Sequence, residues 1–115
     1  MSNQLACRRG SQIRATAAIA GLAPIQPCLD EPVAAWFLHG AQDGAVPFDH
    51  GLEARDRLLA ANDCDEESEP TQDEGCISYL GCSSGYPVIW CPHEGGHDLP
   101  GGAYGQIWGF FSQFL

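Results

Sequence analysis

Six cysteines in 115 residues, at Cys7, Cys28, Cys64, Cys76, Cys82 and Cys91, constrain this chain more than any other feature. That density exceeds what a small reduced enzyme carries. It indicates an oxidising, extracellular setting with up to three bridges, for which fifteen complete pairings exist. The opening MSNQLACRRG has neither the apolar run nor the cleavage site of an export signal. Either such a signal has already been removed, or the chain is an interior or C-terminal portion. No apolar run approaches the roughly 18 residues of a membrane span, so no membrane partner is expected.

The length suits one small domain and not two separately stable cores. With 44% apolar and 17% charged residues, the chain has the material for a packed core and is neither disordered nor a coiled coil. Fifteen acidic against five basic side chains give a formal charge of -10. The basic residues Arg8, Arg9, Arg14, Arg55 and Arg57 are too few and too dispersed to form a phosphate track, which excludes nucleic acid as a partner.

Short apolar runs mark the strands. AAIAG at 17–21 and VAAWFLHG at 33–40 read as buried strands, the second bounded by Pro32 and Gly40, and YPVIWCP at 86–92 reads as another. MSNQLAC has helical spacing from Met1 to Leu5. GLEARDRLLAAND places Leu52 and Leu59 on one helical face with Asp49 as its cap. The final AYGQIWGFFSQFL carries a broad apolar stripe of Ile107, Trp108, Phe111, Phe114 and Leu115, suited to packing over a sheet. Residues 63–74 hold seven carboxylates and Pro70, so 63–82 is expected as a solvated, cysteine-anchored loop excursion. Cys64 stands at a helix exit, and Cys76 and Cys82 stand before the next strand, so one of these two is its expected partner. Cys91 is expected at the opposite sheet edge. Strand, loop and helix in this order predict an α/β fold with a mostly parallel sheet, incomplete without upstream strands.

Two loops that follow strands carry acid and imidazole: Asp43 in HGAQDGAVP and His97 in GGHDLPGG. Loops beyond the carboxyl ends of neighbouring strands converge in such sheets. A carboxylate that fixes one imidazole nitrogen leaves the other to take a proton from a nucleophile. The nucleophile itself is missing. None of Ser2, Ser11, Ser68, Ser78, Ser83, Ser84 and Ser112 lies in a G-x-S-x-G elbow. Residues 93–97 spell H-E-x-x-H, but Gly95, Gly96 and the preceding Pro92 oppose the helix that a zinc protease would need. Neither metal nor cofactor is expected. A cysteine-stapled, non-enzymatic binding or structural domain accounts for the charge and cysteines, yet gives no reason for the two loops.

MSNQLAC with AAIAGLAP, HGAQDGAVPF, YPVIWC, and GGHDLPGG leading to IWGFF together resemble the C-terminal part of a secreted α/β-hydrolase family. That family contains feruloyl esterases and polyhydroxybutyrate depolymerases. The resemblance implies that residues 1–115 are the C-terminal part of one α/β-hydrolase catalytic domain. It also implies that HG-x-x-D and GGH-x-x-PG carry the triad acid and histidine at Asp43 and His97, with the serine and oxyanion hole upstream of Met1. The implied activity is carboxylic ester hydrolysis outside the cell. The substrate would be a feruloyl ester of the plant cell wall, or alternatively a polyhydroxybutyrate or acetylxylan ester.

Overall fold

The computed structural model describes residues 1–25 and 27–115. Its centre is β2, Ala34–Gly40, in which all seven residues are buried. The pleat sends alternate side chains to opposite faces. Val33, Ala35 and Phe37 join Ala6, Ala18, Ala54, Leu58, Val88 and Trp90 on one face. Ala34, Trp36 and Leu38 join Cys76, Cys91 and Phe110 on the other. A strand covered on both faces is apolar throughout, which is why this run stands out in the sequence.

β1, Ala15–Ile19, lies parallel to β2 on one side, and β5, Val88–His93, lies parallel to it on the other. β1 begins two residues before the expected span. Two short strands complete the sheet: β3, Ser68–Pro70, and β4, Ile77–Tyr79, in the order β1-β2-β5-β4-β3. β4 is antiparallel to both β5 and β3. The sheet is therefore mixed, and the expectation of a mostly parallel sheet is wrong. Parallel neighbours need a long crossover, which the chain supplies between β1 and β2 and, through a helix, after β2. The links from β3 to β4 and from β4 to β5 are too short for one.

The acidic stretch thus builds a hairpin instead of a plain loop. Disulfides tie it down: Cys64 pairs with Cys82, the second of the two expected partners, and Cys76 pairs with Cys91. Cys91 is 2% exposed within β5 and is not at a far edge. Cys7–Cys28 links the N-terminal helix to the loop before β2.

Among the described residues three α-helices cover the sheet. α1, Ser2–Arg9, and α2, Phe48–Ala61, lie over the first face, and α3, Ala103–Ser112, lies over the second. α2 begins with Pro47 at its cap and no side-chain cap bond. Asp49 is in its first turn, where a carboxylate meets the positive end of the helix dipole. Its innermost residues are Gly51, Ala54 and Leu58, with Leu52 and Leu59 beside them. On α3 the expected stripe is too broad: Phe110 is the buried centre, while Trp108 and Leu115 are exposed. Among the described residues no helix is long and apolar enough to cross a membrane.

Candidate active site

β2 and β5 are in register from Ala35–Val88 to Gly40–His93, so both strands end together and their following loops lie side by side. The loops are joined by backbone. Ala41 N–H donates to His93 O at 2.7 Å and Gln42 N–H donates to Gly95 O at 3.0 Å. Gly40 makes this approach possible, because a β-carbon there would strike the carbonyls of Gly95 and Gly96. The steric requirement thus falls on the glycine of HG, whereas a β-carbon at Gly96 would make only an ordinary contact with Gln42 O at 3.5 Å.

Within the first loop the Asp43 side chain is fully buried. Its Oδ1 accepts the N–H groups of Ala45 at 2.9 Å and Val46 at 2.8 Å, closing a tight turn. Its Oδ2 faces the second loop, where His97 Nδ1 lies 2.8 Å away. Burial opposes ionisation of Asp43. The Val46 N–H, the bond to His97, the Ala45 N–H and the charge of His97 outweigh it and bring the carboxyl down from 3.8 to about 2. A carboxylate only accepts hydrogen bonds, so Nδ1 of His97 carries the proton and donates it. That leaves Nε2 as the basic nitrogen of a ring whose side chain is 48% exposed. The structure therefore brings the two expected residues, 54 positions apart in sequence, into one oriented acid–imidazole pair.

Sequence reasoning quoted His39 within the HG-x-x-D motif and gave it no role. It is 2% exposed, and its Nε2 lies 2.8 Å from Val46 O and 3.5 Å from Asp43 Oδ2. Its signal was a polar residue near the end of a strand otherwise apolar on both faces. The H-E-x-x-H string does not form a shared helical face. His93 ends β5, where its Nδ1 accepts Gly95 N–H at 3.1 Å, and His97 lies in the loop beyond. Among the described residues no group of three or more His, Cys, Asp or Glu is placed to hold a metal ion. None hydrogen-bonds to His97 Nε2 either, so no serine completes a triad within the described residues.

No protein-family model matches the chain. It is similar to feruloyl esterase D of Neurospora crassa, 33% identical over 129 residues covering 99% of this chain and 44% of that protein. It is also similar to the probable feruloyl esterase C of Aspergillus niger, 33% identical over 105 residues covering 85% of this chain and 38% of that protein. Feruloyl esterase C of Emericella nidulans is 30% identical with the same two coverages. A solved structure of an acetyl xylan esterase from Aspergillus awamori matches at a TM-score of 0.45 and 19% identity, over 68% of this chain and 30% of that one. The chain spans less than half the length of these relatives. Each of these sequence similarities is to part of a feruloyl esterase.

Proposed function

We propose that residues 1–115 are the C-terminal part of a secreted serine esterase catalytic domain and supply its acid and base. The observation that carries this reading is the 2.8 Å contact between His97 Nδ1 and the buried Asp43 carboxylate. Asp43, ionised over the physiological range, fixes the His97 tautomer and stabilises the imidazolium that forms when Nε2 takes a proton. The donor of that proton is a serine contributed by sequence outside residues 1–115, as are the oxyanion-hole amides. The serine oxygen bonds to the ester carbonyl carbon, and the alcohol leaves with the proton held on His97 Nε2. Water then gives a proton to the same nitrogen as its oxygen bonds to the acyl carbon, and that proton passes to the serine oxygen as the acid is released. The names of the relatives make a feruloyl ester the substrate of choice. The three disulfides support an extracellular site of action.

A chimera tests this reading. Residues 1–115 replace the aligned segment of the Neurospora crassa feruloyl esterase D, and turnover of methyl ferulate is measured. The chimera is expected to be active, and Asp43→Ala or His97→Ala is expected to lower kcat/KM by roughly 10³–10⁴-fold with the fold retained. Turnover close to that of the unsubstituted chimera in either variant rejects the assignment. The 115-residue chain alone is expected to take no stoichiometric label from an organophosphonate probe. Labelling of one serine that His97→Ala abolishes would show that the nucleophile lies within residues 1–115.

A further inference from the structure

The acid–imidazole pair depends on where the Asp43–Val46 turn sits, and that turn makes a contact which the proposed reaction does not use. Asp43 Oδ1 holds the turn from inside by accepting the Ala45 and Val46 amides. The carbonyl of Val46 points the other way and meets His39 Nε2 at 2.8 Å. A carbonyl only accepts, so the proton of His39 is on Nε2. The same N–H lies 3.5 Å from Asp43 Oδ2, the oxygen that His97 uses. That contact is not a hydrogen bond, because the N–H is spent on Val46 O.

His39 is itself immobilised. It belongs to a strand buried throughout, and the edge of its ring meets the Phe48 ring at 89° with centroids 5.8 Å apart. Gly51 of α2 closes on its other nitrogen so tightly that a β-carbon there would overlap Nδ1. The groups around the imidazole are thus Val46 and Asp43 from the loop, with Phe48 and Gly51 from α2. Through this side chain the turn that carries the acid is fastened to the fully buried strand of the sheet.

We propose that His39 is a positioning residue for the Asp43–His97 pair. Its Nε2–H holds Val46 O and so keeps the Asp43 carboxylate where His97 Nδ1 can reach it. The inference rests on the esterase reading of that pair, and the experiment separates the two. Uniformly ¹⁵N-labelled 115-residue chain is studied by NMR as wild type, His39→Leu, His39→Gln and Asp43→Ala.

In the wild type Nε2 of His39 is expected to carry a proton. Loss of one buried hydrogen bond in His39→Leu is expected to speed exchange of the Ala45 and Val46 amides by about fivefold and to displace the His97 Nδ1–H resonance. The amides of Ala20 and Ala35, bonded to Leu38 O and Pro87 O, are expected to keep their rates. Gln places a donor close to the position of His Nε2, so His39→Gln is expected to restore both readouts. An unprotonated Nε2 of His39 in the wild type overturns the proposal, whether or not the variants fold. So do unchanged turn amides in His39→Leu, and so does a Gln variant that behaves like Leu. Persistence of the His97 Nδ1–H resonance in Asp43→Ala refutes the acid–imidazole pair itself. Its loss there, combined with an unmoved turn in His39→Leu, refutes only the role of His39.

Discussion

Three helix-interior glycines differ in one respect only, the space beside them, and that difference sets the sign of a Gly→Ala substitution. Alanine in place of glycine stabilises a helix by about 1 kcal/mol through reduced backbone entropy. Gly105 and Gly109 on α3 have nothing within 4 Å of an added β-carbon, so each substitution is expected to deliver that gain. Gly51 on α2 faces His39, with Cγ at 2.9 Å and Cβ at 3.1 Å from the added carbon and Nδ1 closer still. The imidazole cannot withdraw, because it is 2% exposed and bonded to Val46 O. α2 must therefore lift from the sheet, drawing Ala54 and Leu58 out of the core. Overpacking of this kind costs about 1–3 kcal/mol. The helix gain offsets about 1 of that, leaving Gly51→Ala less stable by up to about 2 kcal/mol. Urea unfolding with the disulfides intact, followed by tryptophan fluorescence, measures all three variants. At ~4–8 °C per kcal/mol, thermal midpoints are expected to rise for the α3 variants and fall for Gly51→Ala. A Gly51→Ala protein as stable as Gly109→Ala would refute the close packing of α2 on β2, and with it the confinement of His39.

Other expectations test the remaining supports. Asn62, fully buried at the end of α2, accepts Val33 N–H and donates to Val33 O and Tyr86 O. Asn62→Leu is expected to cost about 3 kcal/mol or more by leaving those groups unpaired, read by urea midpoint. The folded Asp43 carboxyl is held at about 2, below its ordinary 3.8, so its contribution to stability is present in full above the ordinary value. It is lost as pH falls through 3.8 toward 2, and the gap in urea midpoint between wild type and Asp43→Asn is expected to narrow over that window. Cys64 and Cys82 are 18 residues apart, and replacing both by Ser is expected to cost about 3 kcal/mol, with loosening centred on the β3–β4 hairpin in hydrogen exchange. Nonreducing peptide mapping is expected to return Cys7–Cys28, Cys64–Cys82 and Cys76–Cys91.

The sequence announces elements whose stability is local or whose burial is two-sided, and conceals those made by distant contacts. β2 is readable because both faces are covered, so its apolar run is unbroken from Val33 to Leu38. α2 is readable from the spacing of its apolar residues, although its start is shifted because Pro47 and not Asp49 stands at the cap. β3 and β4 give no such signal. Each has three residues, β3 is fully exposed, and the stretch around it is acidic. What pairs them is external: the bridges to Cys82 and Cys91, and the ladder that β5 offers to Ile77 and Ser78. The mostly parallel reading failed there, since 63–82 reads as a loop and its two antiparallel strands go uncounted. On α3, periodicity marks Trp108 as apolar but cannot say that it stays exposed.

Asp43 and His97 were legible for a different reason. Their loops follow apolar strands and pair glycine with a carboxylate or an imidazole, and the motifs HG-x-x-D and GGH-x-x-PG resemble those of a hydrolase family. Their distance was not legible, because it is a property of neither loop. It follows from the pairing of Gly40 with His93, which ends β2 and β5 at the same level, and from the two backbone bonds that carry this register one turn further. His39 stayed hidden for the same cause. Read along the chain it ends an apolar strand. Its meaning appears only when α2 returns over β2 and Gly51 leaves room for a ring whose far nitrogen is turned to Val46 and Asp43. The acid of the pair is thus held by three elements at once: its own turn, the β5 loop through His97, and β2 through His39. A shift of the β2–β5 register by one residue would send His39 to the opposite face and would separate all three together.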